Sequence, residues 1–204
     1  MYRFKNKRSV FAAFVLLLTA STLPLAAVTV RQMNLEEMVD NADKIFRGTV
    51  LDVRETTVNA GGGELPVVVY RLRVDESFKG SYQTVKGIQV AEVRMLGKLK
   101  TATSTGSKVR FQGFIPELPN LQVGHDYLLL TTASSAIGLS TTVGLGQGRF
   151  ELSGKAGQEV AINGNNNRGL FGDPLAEGSS RAAAPPEGPL PYTFLANTIR
   201  GLVG

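Results

Sequence analysis

The sequence predicts a mainly β fold, an antiparallel barrel or sandwich with a short helix near each end of the mature chain. Apolar and polar residues alternate over short segments, glycine-rich turns separate the segments, and no helical pattern alternates with them. Parallel strands need a crossover connection, usually a helix, between them. The order of segments therefore favours antiparallel pairing.

The first 27 residues have the pattern of a secretory signal peptide. Four basic residues precede the apolar run Val10–Leu18, and small residues follow up to Ala27. The apolar run is far shorter than the ~20 residues that span a bilayer, and Pro24 breaks any helix after it. We expect cleavage between Ala27 and Val28, or a few residues earlier, and export to the periplasm or the medium. No stable membrane span is expected after cleavage.

Removal of this leader reduces the net charge from +5 to +1. The leader holds four of the 22 basic residues and no acidic residue, so the mature chain has 18 basic and 17 acidic residues. A nearly neutral chain lacks the charge that attracts nucleic acid, and no nucleic-acid partner is expected. The chain has no cysteine, which excludes disulfides, thiol catalysis and cysteine-ligated metals. No cofactor or metal is expected.

The mature chain begins with a predicted helix over residues 35–42, capped by Asn34 with Glu37 three residues later. A strand over 45–53 follows, with a bulge or bend at Gly48. Residues 59–63 read as a flexible loop. The clearest strand runs from Val67 to Phe78, with alternating apolar and polar residues.

The second half of the chain contains several shorter predicted strands. The apolar parity of Ile88–Met95 shifts midway, which predicts a coiled or bulged strand, and Tyr127–Leu130 is apolar on both faces, which predicts a central strand. Further strands are predicted at 109–114, 140–143, 149–152 and 160–162. One domain is expected over 28–171. Residues 172–191 have the composition of a disordered linker. Residues 192–204 have the spacing of a short helix, with Leu195, Ile199 and Leu202 aligned, that we expect to dock on the barrel; the alternative is a partner-binding peptide.

Three segments resemble the netrin-like modules of the tissue inhibitors of metalloproteinases. They are Ala42-Asp-Lys-Ile-Phe-Arg-Gly-Thr-Val50, Tyr70-Arg-Leu-Arg-Val-Asp-Glu-Ser-Phe-Lys-Gly80 and Leu121-Gln-Val-Gly-His-Asp-Tyr-Leu-Leu-Leu130. The resemblance covers residues 42–132 and implies a small antiparallel OB-like barrel, as in a cysteine-free exported relative. The inhibitors bind the catalytic zinc of their target through an N-terminal cysteine, which this chain lacks. The resemblance therefore implies the fold more than that activity.

Few motifs indicate chemistry. Gly144-Leu-Gly-Gln-Gly148 has the glycines of a phosphate loop, but a strand follows it where a dinucleotide loop requires a helix. A hairpin or bulge is the better interpretation. His125 beside Asp126 could form an oriented base, although the chain has no other histidine and a turn residue is favoured. Glu36, Glu37, Asp40 and Asp43 lack the spacing of a calcium loop. No catalytic residue is predicted.

A basic stretch is the remaining candidate site. No acidic residue occurs between Val93 and Ile115, and on an OB-like barrel such a loop could bind a polyanion. The candidate residues are Arg94, Lys98, Lys100, Lys108 and Arg110. A solvated loop is the plainer interpretation. The sequence thus predicts a non-catalytic binding or interaction module of the cell envelope or extracellular space, with an unidentified protein or envelope component as partner. The alternative is an extracellular protease inhibitor-like protein or a hydrolytic enzyme.

Overall fold

A computed structural model of the chain describes residues 31–101, 109–113, 118–172 and 187–204. The predicted signal peptide of residues 1–27, its cleavage site at Ala27 and Val28, and Lys108 lie outside these ranges. The same holds for residues 173–186, which make up most of the predicted linker.

The first described element is a short helix, α1 (Leu35–Asn41). The Asn34 side chain accepts a hydrogen bond from the Glu37 backbone N–H, and the Glu37 carboxylate accepts one from the Asn34 N–H. This reciprocal pair is the capping box that the sequence predicts. Leu35, Met38 and Val39 form the buried face of the helix.

Two long strands dominate the fold, β1 (Lys44–Ala60) and β2 (Gly63–Lys79). They pair along their whole length, and Gly61 and Gly62 join them with φ angles of 60° and 81°. Two successive positive φ values define a tight type I′ turn. The prediction of a flexible loop at 59–63 is therefore wrong, because the glycines here continue a hairpin.

The predicted bulge at Gly48 is confirmed by a register shift between Arg47 and Gly48. A Cβ atom at Gly48 would lie 2.4 Å from the backbone oxygen of Arg73 on β2. Real Cβ atoms are not found so close to a carbonyl oxygen. Glycine at this position allows the two strands to approach each other.

The remaining strands are short, apart from β4. They are β3 (Gln83–Val85), β4 (Ile88–Thr101), β5 (Val109–Gly113), β6 (Asp126–Thr131), β7 (Arg149–Ser153), β8 (Val160–Asn163) and β9 (Leu190–Pro191). A 3-10 turn at Leu145–Gly148 precedes β7, and helix α2 (Tyr192–Val203) follows β9. The described residues form one antiparallel sheet in the order β3-β4-β2-β1-β6-β7-β8-β9, with β5 paired to the end of β4. By strand pairing alone this sheet is open.

The structure corrects two strand predictions. The pairing of β4 with β2 has an unbroken register from Arg73–Val90 to Val67–Leu96, so of the coiled or bulged strand predicted at Ile88–Met95 the bulge is wrong. The parity shifts because Ile88 is exposed beside the β3–β4 turn and the buried residues begin at Ala91. Residues 140–143 form only a single bridge, between Thr142 and Thr131.

Two apolar layers cover opposite faces of the sheet. One lies between the helices and β1, β6, β7 and β8, and includes Leu195 and Ile199 of α2. The other lines the inner face of β1, β2, β4 and β6, and includes Tyr70, Met95 and Tyr127. Strand β6 serves both layers, since Tyr127–Leu130 are fully buried. The prediction of a central strand there is confirmed.

Candidate functional site

His125 lies directly after a turn at residues 123–124, as the favoured interpretation predicts, and the alternative of an oriented His125–Asp126 base does not form. Successive strand residues point to opposite faces, and the Asp126 carboxylate hydrogen-bonds to Thr49 at 2.7 Å. The imidazole of His125 instead lies beside Glu151, with Nδ1 3.7 Å from the carboxylate, and stacks on Tyr127. Among the described residues, no hydroxyl group hydrogen-bonds to this imidazole. The arrangement is an exposed contact between an imidazole and a carboxylate, and its described contacts include no nucleophile.

A network of charges crosses β1, β2 and β6 around the hydroxyl of Thr49. This oxygen lies 2.8 Å from an Asp75 oxygen and 2.7 Å from an Asp126 oxygen, and it accepts a hydrogen bond from Arg73. Arg73 also donates to Asp75 at 2.6 Å. A hydroxyl group has one proton, so it donates to one carboxylate at a time. These contacts link β1, β2 and β6. The hydroxyl, carboxylate and guanidinium groups of the network bond to one another, which is a structural role.

Arg47 extends the network toward the C-terminal part of the chain. Its guanidinium lies 3.3 Å from Asp126 and 3.4 Å from Glu159, and it stacks on the ring of Tyr192. Burial alone would lower the pKa of Arg47, but its hydrogen bonds to these carboxylates raise the pKa above its ordinary value. Arg47 is therefore held as a structural cation between the sheet and the start of α2.

Helix α2 is fastened to β2 through Glu76. The Tyr192 hydroxyl donates a 2.5 Å hydrogen bond to the Glu76 carboxylate, and Arg200 forms an ion pair with the same group. Burial, followed by the nearby Glu76 charge, raises the pKa of Tyr192. Because Leu195 and Ile199 are also buried, the helix docks on the sheet as its apolar spacing predicts. Leu202, which has the same helical spacing as these two residues, is exposed.

The Gly144–Gly148 motif is part of a cluster of buried amides. The motif folds as a 3-10 turn that leads into β7, so it lacks the helix that a phosphate loop requires. The buried Gln147 side chain accepts a hydrogen bond from the Met33 N–H and donates to the Arg31 oxygen. It thereby holds the segment before α1 against the turn.

Two buried asparagines complete the cluster. Asn163 donates to the Gln147 oxygen and accepts hydrogen bonds from the N–H groups of Asn165 and Asn167. Asn167 donates to the oxygens of Ala161 and Gly188. The cluster therefore joins residues 31–33, the turn at Gln147, residues 161–167 and Gly188 through hydrogen bonds. Its role is structural.

The basic stretch does not form one surface. Arg94 is half-buried, and its backbone N–H and C=O are bonded to Ser140. Lys98 is exposed on β4, and the register places Lys100 directly opposite Arg110 on β5. Lys108 lies outside the described residues. Three of the five predicted positions thus share the β4–β5 ribbon.

The feature that sequence reasoning missed is the free edge of β1. Strand β6 pairs with β1 only from Lys44 to Thr49, whereas β1 continues to Ala60. Within the described residues, no strand pairs with the outer edge of residues 52–60. The Gly61-Gly62 pair between two alternating segments was the available signal, because a two-residue glycine turn indicates a hairpin.

Pro66 explains why this hairpin stands apart from β4. Strands β2 and β4 pair up to Val67 and Leu96. The next residue along β2 toward the tip is Pro66, which has no N–H to donate to a neighbouring strand. Strand β4 instead turns at Gly97 and pairs with β5. The end of the β1–β2 hairpin is therefore a projecting two-stranded ribbon.

The part of the chain that the structure describes contains no metal site and no membrane helix. In these ranges, no three acidic or histidine side chains are grouped to hold a metal ion. No helix in these ranges has both the length and the apolar character needed to cross a bilayer. No protein-family model matches the chain, and no curated protein matches it.

Proposed function

We propose that this chain is an exported, non-catalytic interaction module that binds a protein partner through a strand edge. The observation that carries the proposal is the edge of β1 over residues 52–60, with which no strand of the described ranges pairs. Such an edge presents backbone N–H and C=O groups that an added strand can pair with. Binding of this kind requires no pocket and no catalytic group.

We also propose that the module is an OB-like barrel of netrin-like type. The support comes from residues 139–143, which contact strands on both sides. The Ser140 N–H donates to the Arg94 oxygen on β4 at 2.8 Å, and the Thr132 N–H donates to the Thr141 oxygen beside β6. A segment that links β4 to β6 would close the ring β1-β2-β4-β6. The signal-peptide pattern of residues 1–27 supports export to the periplasm or the medium.

The alternative of a hydrolytic enzyme has less support. Its best candidate is the exposed pair of His125 and Glu151, 3.7 Å apart. Nucleophilic catalysis needs a nucleophile within hydrogen-bond reach of the base, and the described contacts of the imidazole include none. The carboxylates near Thr49 are already bonded to Arg47 and Arg73.

The test compares partners of the native chain with those of two variants at Thr57. In a two-residue hairpin the residues that flank the turn form a hydrogen-bonded pair. Ala60 and Gly63 are that pair, so the N–H of Thr57, opposite Pro66, points away from β2. Thr57→Pro removes this outward N–H without breaking a β1–β2 bond, and Thr57→Val preserves it.

Each chain, tagged after Gly204, is used to capture proteins from the envelope and extracellular fractions of the exporting cell. We expect one stoichiometric partner, counting an untagged copy of this chain as a candidate, to be retained by the native chain and Thr57→Val but lost with Thr57→Pro. Equal retention by all three chains would contradict binding at the edge. Hydrolase activity that is lost in His125→Ala would favour the enzyme instead.

A second candidate ligand is an acidic polysaccharide bound by the β4–β5 ribbon. The observation in its favour is that the β4–β5 register places positions 98, 100 and 110 on one two-stranded ribbon, in a stretch of sequence from Val93 to Ile115 that contains no acidic residue. Retention on a heparin column in about 0.1 M salt tests it. The variant K98Q/K100Q/R110Q should elute earlier than the native chain, and K86Q/K155Q should not. Failure of the native chain to bind would contradict this candidate.

A further inference from the structure

The free edge of β1 has a defined hydrogen-bonding pattern. The register of β1 with β2 is regular from Asp52–Arg71 to Ala60–Gly63. Because alternate residues of a strand direct their N–H and C=O groups to opposite sides, the even-numbered residues from Arg54 to Ala60 bond to β2. The outward groups belong to Val53, Glu55, Thr57 and Asn59.

This edge carries only one of the features by which proteins block unwanted strand pairing. Natural edges are kept short, or carry charged side chains, proline or a bulge. The edge strand β3 has three residues, and β9 has two, one of them Pro191. By contrast, residues 52–60 contain no proline, no lysine and no register shift, and their protection is limited to Asp52, Arg54 and Glu55. A strand of this length is suited to pairing where those charges are compensated.

Two of the three charged residues on this edge are compensated within the chain. Asp52 forms an ion pair with Arg71, and Arg54 forms one with Glu92. The Glu55 carboxylate keeps its charge and accepts a hydrogen bond from the Leu99 N–H. A second copy of the same edge is therefore acceptable in a register that keeps like charges from facing each other directly.

We propose that a second copy of this chain pairs with the edge as an antiparallel strand, with Thr56 on the twofold axis. This inference rests on the proposed function and names its partner. The outward N–H and C=O groups of one copy must lie opposite those of the other copy, and these groups belong to odd-numbered residues. A twofold axis between two residues would place odd-numbered residues opposite even-numbered ones. The axis therefore passes through a residue. Arg54 or Glu55 on the axis would place like charges directly opposite each other, which is destabilising. Thr57 on the axis would leave Val53 unpaired.

With Thr56 on the axis, all four outward residues of each copy are paired. Val53 faces Asn59 and Glu55 faces Thr57, which gives about eight intermolecular hydrogen bonds. On the alternate positions Arg54 faces Val58, and the two Thr56 side chains face each other. Paired threonines are a favourable cross-strand contact. The two sheets would then continue through the interface as one.

The absence of cysteine from the chain allows a test by disulfide formation. The Thr56 pair would be a non-hydrogen-bonded pair with Cα atoms about 4.5 Å apart, within the range for a disulfide. Under mild oxidation, Thr56→Cys should form a covalent dimer. The control Val58→Cys is on the same face, but the two copies of residue 58 would be about 13 Å apart, and it should stay monomeric.

A charge-exchange experiment tests the same register without a cross-link. Thr56→Lys and Thr56→Glu each place like charges on the axis and should sediment as monomers, whereas an equimolar mixture should restore the dimer. The restored dimer also shows that both variants are folded. A native chain that stays monomeric at about 100 µM, with no disulfide from Thr56→Cys, would overturn the second copy as partner. Capture of another protein, lost with Thr57→Pro, would then still support the proposed function.

Discussion

Replacement of Asn167 by alanine tests the buried amide cluster most directly. The side chain is 1% exposed and makes three hydrogen bonds: its Nδ2 donates to the Ala161 oxygen at 2.9 Å and to the Gly188 oxygen at 2.8 Å, and its Oδ1 accepts from the Asn163 N–H at 2.9 Å. Asn167→Ala would leave these three backbone groups without that partner. A buried polar group without a partner costs about 1–3 kcal/mol.

The expected loss in the free energy of unfolding is about 3–5 kcal/mol, allowing for partial access of water. The backbone of Asn167 adds a smaller contribution, since its φ of 58° is in the left-handed region. This conformation costs alanine about 1–2 kcal/mol, and glycine adopts it freely. Asn167→Gly should therefore be less destabilised than Asn167→Ala by about 1 kcal/mol, with both well below the native protein.

The assay is urea unfolding followed by far-ultraviolet circular dichroism, because the chain contains no tryptophan. Hydrogen exchange adds a local readout. Gly188 shortly precedes β9 and α2, so the amide protons of α2 should exchange faster in Asn167→Ala. A loss of less than about 1 kcal/mol in both variants would refute the reasoning, as would a stable alanine variant with unchanged exchange in α2.

Three further predictions concern other parts of the fold. Gly48→Ala should lower stability by about 1–3 kcal/mol in a thermal melt, because its Cβ would lie 2.4 Å from the Arg73 oxygen; an unchanged melting temperature would contradict this contact. Burial raises the pKa of Tyr82 to about 12, so between pH 10 and 12 the folded state holds a proton that the unfolded state has lost, and stability should fall with rising pH. Urea titrations at several pH values check this, and Tyr82→Phe should show a shallower fall; an identical pH profile in that variant would rule Tyr82 out as the source. Asn34→Ala should lower the free energy of unfolding by about 1 kcal/mol, because α1 loses its cap. Asn34→Asp should keep most of the stabilisation that the cap provides. Equal losses of stability in the two variants, measured by urea unfolding, would argue against capping.

Local patterns predicted much of the secondary structure. The Asn34–Glu37 spacing located α1, and the alternation along Val67–Phe78 located the core of β2, because caps and strand faces depend on neighbouring residues in the chain. The same approach misjudged Ile88. A strand residue is buried or exposed according to what covers it, and at the end of β4 the open β3–β4 turn leaves Ile88 exposed.

The candidate site could be predicted less well, because its contacts join residues far apart in the chain. His125 has Asp126 as its neighbour in sequence but Glu151 as its neighbour in space, since β6 and β7 pair and adjacent side chains alternate faces. The basic residues are separated for a similar reason. Strand β4 turns at Gly97, so Arg94 contacts Ser140 while Lys98 and Lys100 join the ribbon with β5.

The sequence by itself determined that the chain is mainly β, that it lacks every form of cysteine chemistry, and that its first 27 residues have the pattern of a signal peptide. These conclusions depend only on composition and on local spacing. The tertiary structure alone decided which strand edge is left open. Whether the outward N–H groups of residues 52–60 are paired depends on where β6 begins, because Asp126, its first residue, lies opposite Thr49. A local pattern contains no information on a strand supplied from a distant part of the chain.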